Sequence, residues 1–135
     1  MTRNVDANGR WIDPHWVESS IQELSQYGAH GETGVARLVY SPEWVAAQDQ
    51  VAVWMEAAGL RVERDAAGNV WGYLDGHDRE RPIVATGSHI DSQNPGGRFD
   101  GALGVVAGIA AVAALGEIGR ASWAAAADDR GRLAR

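Results

Sequence analysis

His89 and Asp91 stand two positions apart in a chain of 135 residues, directly after the uncharged run Pro82-Ile83-Val84-Ala85-Thr86. Histidine and aspartate at that spacing suit divalent-metal chemistry. One imidazole nitrogen ligates, while the carboxylate holds the other nitrogen and so sets the tautomer. A lone His-x-Asp is a weak signal in a chain with four histidines and ten aspartates. Asp100 adds to it by position: it follows Asn94-Pro95-Gly96-Gly97, a loop able to bring the backbone back towards His89, and it precedes an apolar stretch. Two roles are open for Asp100. It can cap the helix that begins there, or it can bridge two divalent cations above His89.

The absence of cysteine removes a disulfide scaffold, a thiolate zinc site and a cysteine nucleophile, so a metal site must use histidine and carboxylate. His15 in a first helical turn, His30 beside Glu32 in a Gly-rich loop, and His77 in a charged turn read as solvated residues rather than ligands. No nucleophile elbow, phosphate loop or zinc-finger spacing occurs. The series Gly101-x-x-Gly104-x-x-x-Gly108 suits close helix packing, because no strand ends directly before it as a dinucleotide fingerprint requires.

The elements that must position these residues follow from caps and periodicity. Asp13-Pro14 opens a first helix, with Ile12 as a staple, Val17, Ile21 and Leu24 as its apolar stripe and Gly28 as its stop. Gly28–Gly34 is a loop, followed by the short apolar run Val35–Tyr40. Ser41-Pro42-Glu43 starts a second helix with Val45, Val51, Ala52, Met55 and Ala58 on its apolar face and Gly59 at its end. Leu60–Arg64 and Val70–Leu74 form a hairpin around the turn Asp65–Asn69. Pro82–Thr86 reads as a strand buried on both faces, placing His89 and Asp91 at its C-terminal end, where open α/β sheets build their sites. A last helix runs from near Asp100-Gly101 to about Ile118. It is apolar almost all round, which predicts cover on more than one side. The fold class is α/β, a mixed sheet with helices on its faces.

Composition bounds the function. With 12 basic and 18 acidic residues the net charge is -6 and the pI about 5.1, which gives no electrostatic reason to bind nucleic acid or an anionic membrane. The least polar stretch, Gly101–Gly116, falls short of the roughly 18–20 residues of a membrane span. The N-terminus has no apolar leader, so the cytoplasm is the expected location.

Taken together, the motifs resemble one family. Gly87-Ser88-His89-Ile90-Asp91-Ser92 and Gly96-Gly97-Arg98-Phe99-Asp100-Gly101-Ala102-Leu103-Gly104-Val105 closely resemble the first metal-binding segment of the amidase/hydantoinase/carbamoylase family. Gly34–Leu38, Tyr40–Trp44 and Asp65–Val70 look like that family in the same order, so the resemblance covers roughly residues 11 to 119. It implies the N-terminal part of an aminoacylase/carboxypeptidase-like catalytic domain. It also implies hydrolysis of a carbamoyl or ureido C–N bond of a small molecule, an N-carbamoyl-L-amino acid or allantoate, by water activated between two Zn²⁺ or Mn²⁺ ions. By the resemblance His89 is a ligand of one ion, Asp100 bridges both, and Asp91 orients His89.

The family's general-base glutamate, further glutamate and histidine ligands and dimerisation domain have no matching positions here. Weak or partial metal binding and little activity of this chain alone are therefore expected; the resemblance implies a homodimeric family, whose dimerisation domain is not matched here. Residues 1–119 are expected to be the catalytic-domain portion. Residues 120–135 lack the alternation of the strand due there and are expected to be a non-homologous tail left by a frameshift or truncation; a frayed helical tail is the plainer reading. The other readings are a non-catalytic interaction module and a gene product without present function.

Overall fold

The computed structural model describes residues 12–133 except 77 and 79, and for residues 120–133 the backbone only. Three helices and five short strands follow in the order α1 (Pro14–Leu24), β1 (Ala29–His30), β2 (Gly34–Val35), α2 (Pro42–Ala57), β3 (Arg61–Arg64), β4 (Val70–Tyr73), β5 (Gly96–Gly97) and α3 (Ala102–Leu133). The fold is of mixed helix and sheet, as expected, but its sheets are small. β1, β2 and β5 form one antiparallel sheet, and β3 and β4 form a hairpin.

Both helix starts follow their capping residues. The Asp13 carboxylate accepts from the His15 amide at 2.9 Å, and the Ser41 hydroxyl accepts from the Trp44 amide at 3.2 Å. α1 stops at Leu24, four residues before Gly28, because Ser25 already closes its last turn. On α2 the buried face is Ala47, Gln48, Val51 and Trp54, whereas Val45 and Val53 are exposed. Ile21 and Leu24 of α1, Ala47, Val51 and Trp54 of α2, and Ala102, Val106 and Ile109 of α3 form the core together with Ile90. Trp16 meets Trp54 edge-on, their ring centroids 6.0 Å apart.

Three expectations need correcting. Pro82–Thr86 is not a strand: it pairs with no strand among the described residues, and Ile83 and Val84 are 85% and 97% exposed. An apolar run becomes a buried strand only where neighbouring strands offer both ladders, and none of the five described strands lies beside it. α3 does not end near Ile118. Its backbone continues to Leu133, in line with the plainer, helical reading of the stretch after Gly119. Nor is α3 covered all round, since Leu103 and Leu115 are 45% and 63% exposed. Its window Ala102–Gly119 is long and apolar enough to cross a membrane by length and composition, with a mean hydropathy of 1.9. The same stretch carries Ala102, Val106 and Ile109 of the core packed against α1 and α2.

The strands of the hairpin pack on α2, with Gly72 against Met55, and its turn is held by Tyr40 and Trp44. The Tyr40 hydroxyl donates to the Ala67 carbonyl at 3.2 Å, and the Tyr40 ring stacks edge-on against Trp44 at 5.3 Å. Within the turn the Asp65 carboxylate accepts from Trp71 Nε1, from the Asn69 side chain and from the Asn69 and Ala67 amides. The Trp71 bond first, then those from Asn69, pull the carboxyl down to about 2. A lowered carboxyl stabilises the fold above its unfolded value, and that stability is lost as pH falls through the folded value. The turn is therefore expected to be intact at about pH 4 and to open as pH falls through about 2. Following the Trp71 indole N–H signal by NMR against pH checks this, and Asp65→Ala should show an opened turn at neutral pH.

Candidate metal centre

The segment carrying His89 and Asp91 lies across the core rather than at a strand end. Side chains alternate along an extended chain, so Ile90, 7% exposed, enters the core while His89 and Asp91 face away from it, 51% and 39% exposed. Ile90 is thus the anchor and its two neighbours are the working groups.

Asp91 turns towards His89. His89 Nδ1 lies 3.1 Å from the Asp91 carbonyl oxygen and 3.2 Å from its Oδ1. Both oxygens are acceptors, so the proton of a neutral ring sits on Nδ1 and the Nε2 lone pair is free. That nitrogen faces Asp100 Oδ1 at 3.9 Å, too far for a hydrogen bond. Asp100 does not cap α3: among the described residues no helix amide donates to its carboxylate, and the first turn is closed instead by Ala102 N–H to the Asp100 carbonyl at 2.7 Å and Leu103 N–H to the Phe99 carbonyl at 3.1 Å. Of the two roles open to Asp100, the structure leaves its side chain free for the one towards His89.

The approach of Asp100 to His89 depends on Gly101. This residue has φ +69°, and a Cβ there would stand 2.3 Å from the His89 carbonyl oxygen and 2.5 Å from the ring carbon Cε1. Only glycine permits both the turn and the contact. Gly104 acts similarly one turn on, where a Cβ would meet the Ser88 side chain at 2.8 Å. The glycine series thus serves close packing of α3 against Thr86, Ser88 and His89.

A cavity of about 330 Å³ opens over these groups, lined by Leu38, His89, Asp91, Ser92, Gln93, Asn94 and Asp100. Two carboxylates, one imidazole and no basic side chain make its wall attractive to a cation. The donor set fits a divalent ion. His89 Nε2 and Asp100 Oδ1 face each other at 3.9 Å and would supply an imidazole and a carboxylate donor to it. Among the described residues no group of three His, Cys, Asp or Glu forms a metal cage. His15 and His30 are exposed and do not line the cavity, and His77 falls outside the described residues.

Arg37 and Ser92 took no part in the sequence reading beyond the motifs that contain them, yet both are buried beside the site, 2% and 7% exposed. The Arg37 guanidinium donates to three carbonyls: Nε to Ile90 at 2.6 Å, and Nη1 to Leu24 and Tyr27 at 2.7 Å each. Burial draws Arg37 below the ordinary arginine value, opposed by the charge of Asp91. The signal was present in the sequence as one charge inside the apolar run Val35–Tyr40.

No family model matches the chain. An N-carbamoyl-L-amino-acid amidohydrolase of Paenarthrobacter aurescens is 46% identical over 103 residues, covering 76% of this chain and 25% of that protein. An allantoate amidohydrolase of Bacillus subtilis is 44% identical over 101 residues, 75% of this chain and 24% of the relative. The crystal structure of a hydantoinase/carbamoylase family amidase from Burkholderia ambifaria superposes with a TM-score of 0.75 at 38% identity, covering 80% of this chain and 26% of that one. The chain thus spans about a quarter of the length of the relatives it matches.

Gly101→Ala should cost about 2 kcal/mol or more in denaturant unfolding, because strained backbone and a clash with His89 add. A loss below about 0.5 kcal/mol would mean that the close contact does not hold in solution.

Proposed function

We propose that this chain, which over its matched residues is similar in sequence and fold to hydantoinase/carbamoylase family amidohydrolases, carries part of a metal-dependent site for hydrolysing a carbamoyl or ureido C–N bond. In this reading His89 ligates a divalent cation through Nε2, Asp100 ligates the same cation and a second one, and Asp91 orients His89. The supporting observation is the free Nε2 of His89 opposed to the uncommitted Asp100 carboxylate across 3.9 Å.

Zn²⁺ and Mn²⁺ both suit imidazole and carboxylate donors. A bound cation would supply Lewis acidity, polarising the scissile carbonyl and acidifying water. The protein's own part is distinct. Asp91 keeps the proton of His89 on Nδ1, and Gly101 lets Asp100 approach from the start of α3. Gln93 and Asn94 line the same cavity with carboxamides, which offer both donors and acceptors to a ureido group. Asp91 and Asp100 make the wall negative, so a carboxylate-bearing substrate is repelled until a cation offsets them. N-carbamoyl-L-amino acids and allantoate are the substrate class that the relatives' names support.

With two ligands and no glutamate at the cavity, we take this chain to bind metal weakly and to turn over little substrate alone. Residues 1–119 constitute the catalytic-domain portion in this reading, and residues 120–135 lie outside it.

Calorimetric titration with Zn²⁺ tests the ligand assignment. The chain should bind more weakly than micromolar, His89→Ala should abolish binding, and Asp91→Asn should weaken it by about 10- to 100-fold. Unchanged binding by His89→Ala would refute the assignment, and tight binding of two ions would refute the weakness of the site.

A further inference from the structure

We infer that Arg37 and Ser92 are positioning residues that hold residues 90–92 so that Asp91 meets His89 Nδ1 and leaves Nε2 free. This deepens the metal-site reading above and rests on it.

The need for such a clamp comes from the missing ladder. Residues 82–92 belong to no strand, so no β-pairing sets the direction of their peptide planes. The Arg37 Nε bond of 2.6 Å falls on the Ile90 carbonyl, which belongs to the peptide joining Ile90 to Asp91. Fixing that plane fixes where the Asp91 side chain departs. The other arm of the guanidinium reaches the Leu24 and Tyr27 carbonyls at 2.7 Å each, at the C-terminal end of α1. A cation suits that end of a helix, and the planar fork gives fixed directions that an ammonium lacks.

Ser92 completes the clamp from the far side. Its hydroxyl accepts from the Arg37 amide at 2.9 Å and can donate to the Val35 or the Gln93 carbonyl, at 2.9 and 2.8 Å. The Ser92 amide donates to the Arg37 carbonyl at 2.9 Å. Three successive residues are thus held by Arg37 and Ser92: Ile90 through its carbonyl, Asp91 through the peptides on either side, and Ser92 through its amide and hydroxyl. Arg37 touches neither His89 nor the cavity, so its effect on the site passes through Ile90 and Asp91.

The readout is the tautomer of His89, which a merely structural role would not move. Nitrogen-15 NMR of the metal-free chain at about pH 8, where a free imidazole is neutral, should show the proton on Nδ1. Arg37→Lys should shift the ring towards the Nε2-protonated or a mixed form and weaken Zn²⁺ binding about tenfold. Val51→Ala, a core change away from the clamp, serves as the control. It should lower the melting temperature while leaving the tautomer unchanged and the affinity within about twofold. An unaltered tautomer in Arg37→Lys overturns the inference, and so does an equal change in Val51→Ala. Should Arg37→Lys not fold, Ser92→Ala takes its place: a shifted tautomer supports the clamp, and a wild-type tautomer overturns it. If the unsubstituted chain binds no Zn²⁺, the ligand assignment fails, while the tautomer comparison still decides the role of Arg37 and Ser92.

Discussion

A buried guanidinium is the constraint on which the rest of this structure depends. Arg37 sits where the end of α1, the run following β2 and the segment bearing His89 converge, and it satisfies one or more carbonyls from two of them. Hydrogen bonds to a charged donor contribute about 1.5–3 kcal/mol each. Losing the arginine also takes the donor from the Tyr27 and Ile90 carbonyls, whereas the Leu24 carbonyl keeps the Tyr27 amide, so its removal costs more than that of a surface residue. Its own desolvation opposes this and draws Arg37 below the ordinary arginine value. The three acceptors and the nearby Asp91 charge offset that cost.

The rest of the site is built outward from this junction by simple geometric rules. Alternation along an extended chain drives Ile90 into the core and leaves its two neighbours outside. Fully burying an isoleucine contributes about 1.5–3 kcal/mol, which fixes the segment's depth as Arg37 fixes its orientation. The absence of a Cβ at Gly101 then allows α3 to start against the His89 backbone, bringing Asp100 across from the ring. Arg98 secures the approach, reaching Gln22 Oε1 of α1 at 2.9 Å and the Glu32 carbonyl at 3.2 Å. The hairpin is peripheral to all of this: its strands pack on α2, its turn is held by Tyr40 and Trp44, and it takes no part in the cavity.

Legibility in the sequence followed the range of the interaction. Asp13 and Ser41 act on amides two or three residues away, so their helices could be read from local patterns, and the turn Asp65–Asn69 set the hairpin for the same reason. That His89, Asp91 and Asp100 lie near one another was legible, since their spacing limits how far apart they can fold. What escaped was non-local. Whether Pro82–Thr86 becomes a strand depends on neighbours that its own pattern does not encode. α3 runs past Ile118 because the alanine-rich stretch after Gly119 propagates a helix readily, whatever the change in its composition. Arg37 was hidden because its three acceptors lie 10 to 53 residues away in the chain.

The central claim is that His89 and Asp100 share a cation while Asp91 holds the far side of the ring. Anomalous diffraction from crystals soaked in Zn²⁺ tests it most directly. The account predicts a peak within bonding distance of His89 Nε2 and the Asp100 carboxylate, with Nδ1 still turned to Asp91. A peak bound through Nδ1, or zinc at other residues with this pair left free, would contradict it.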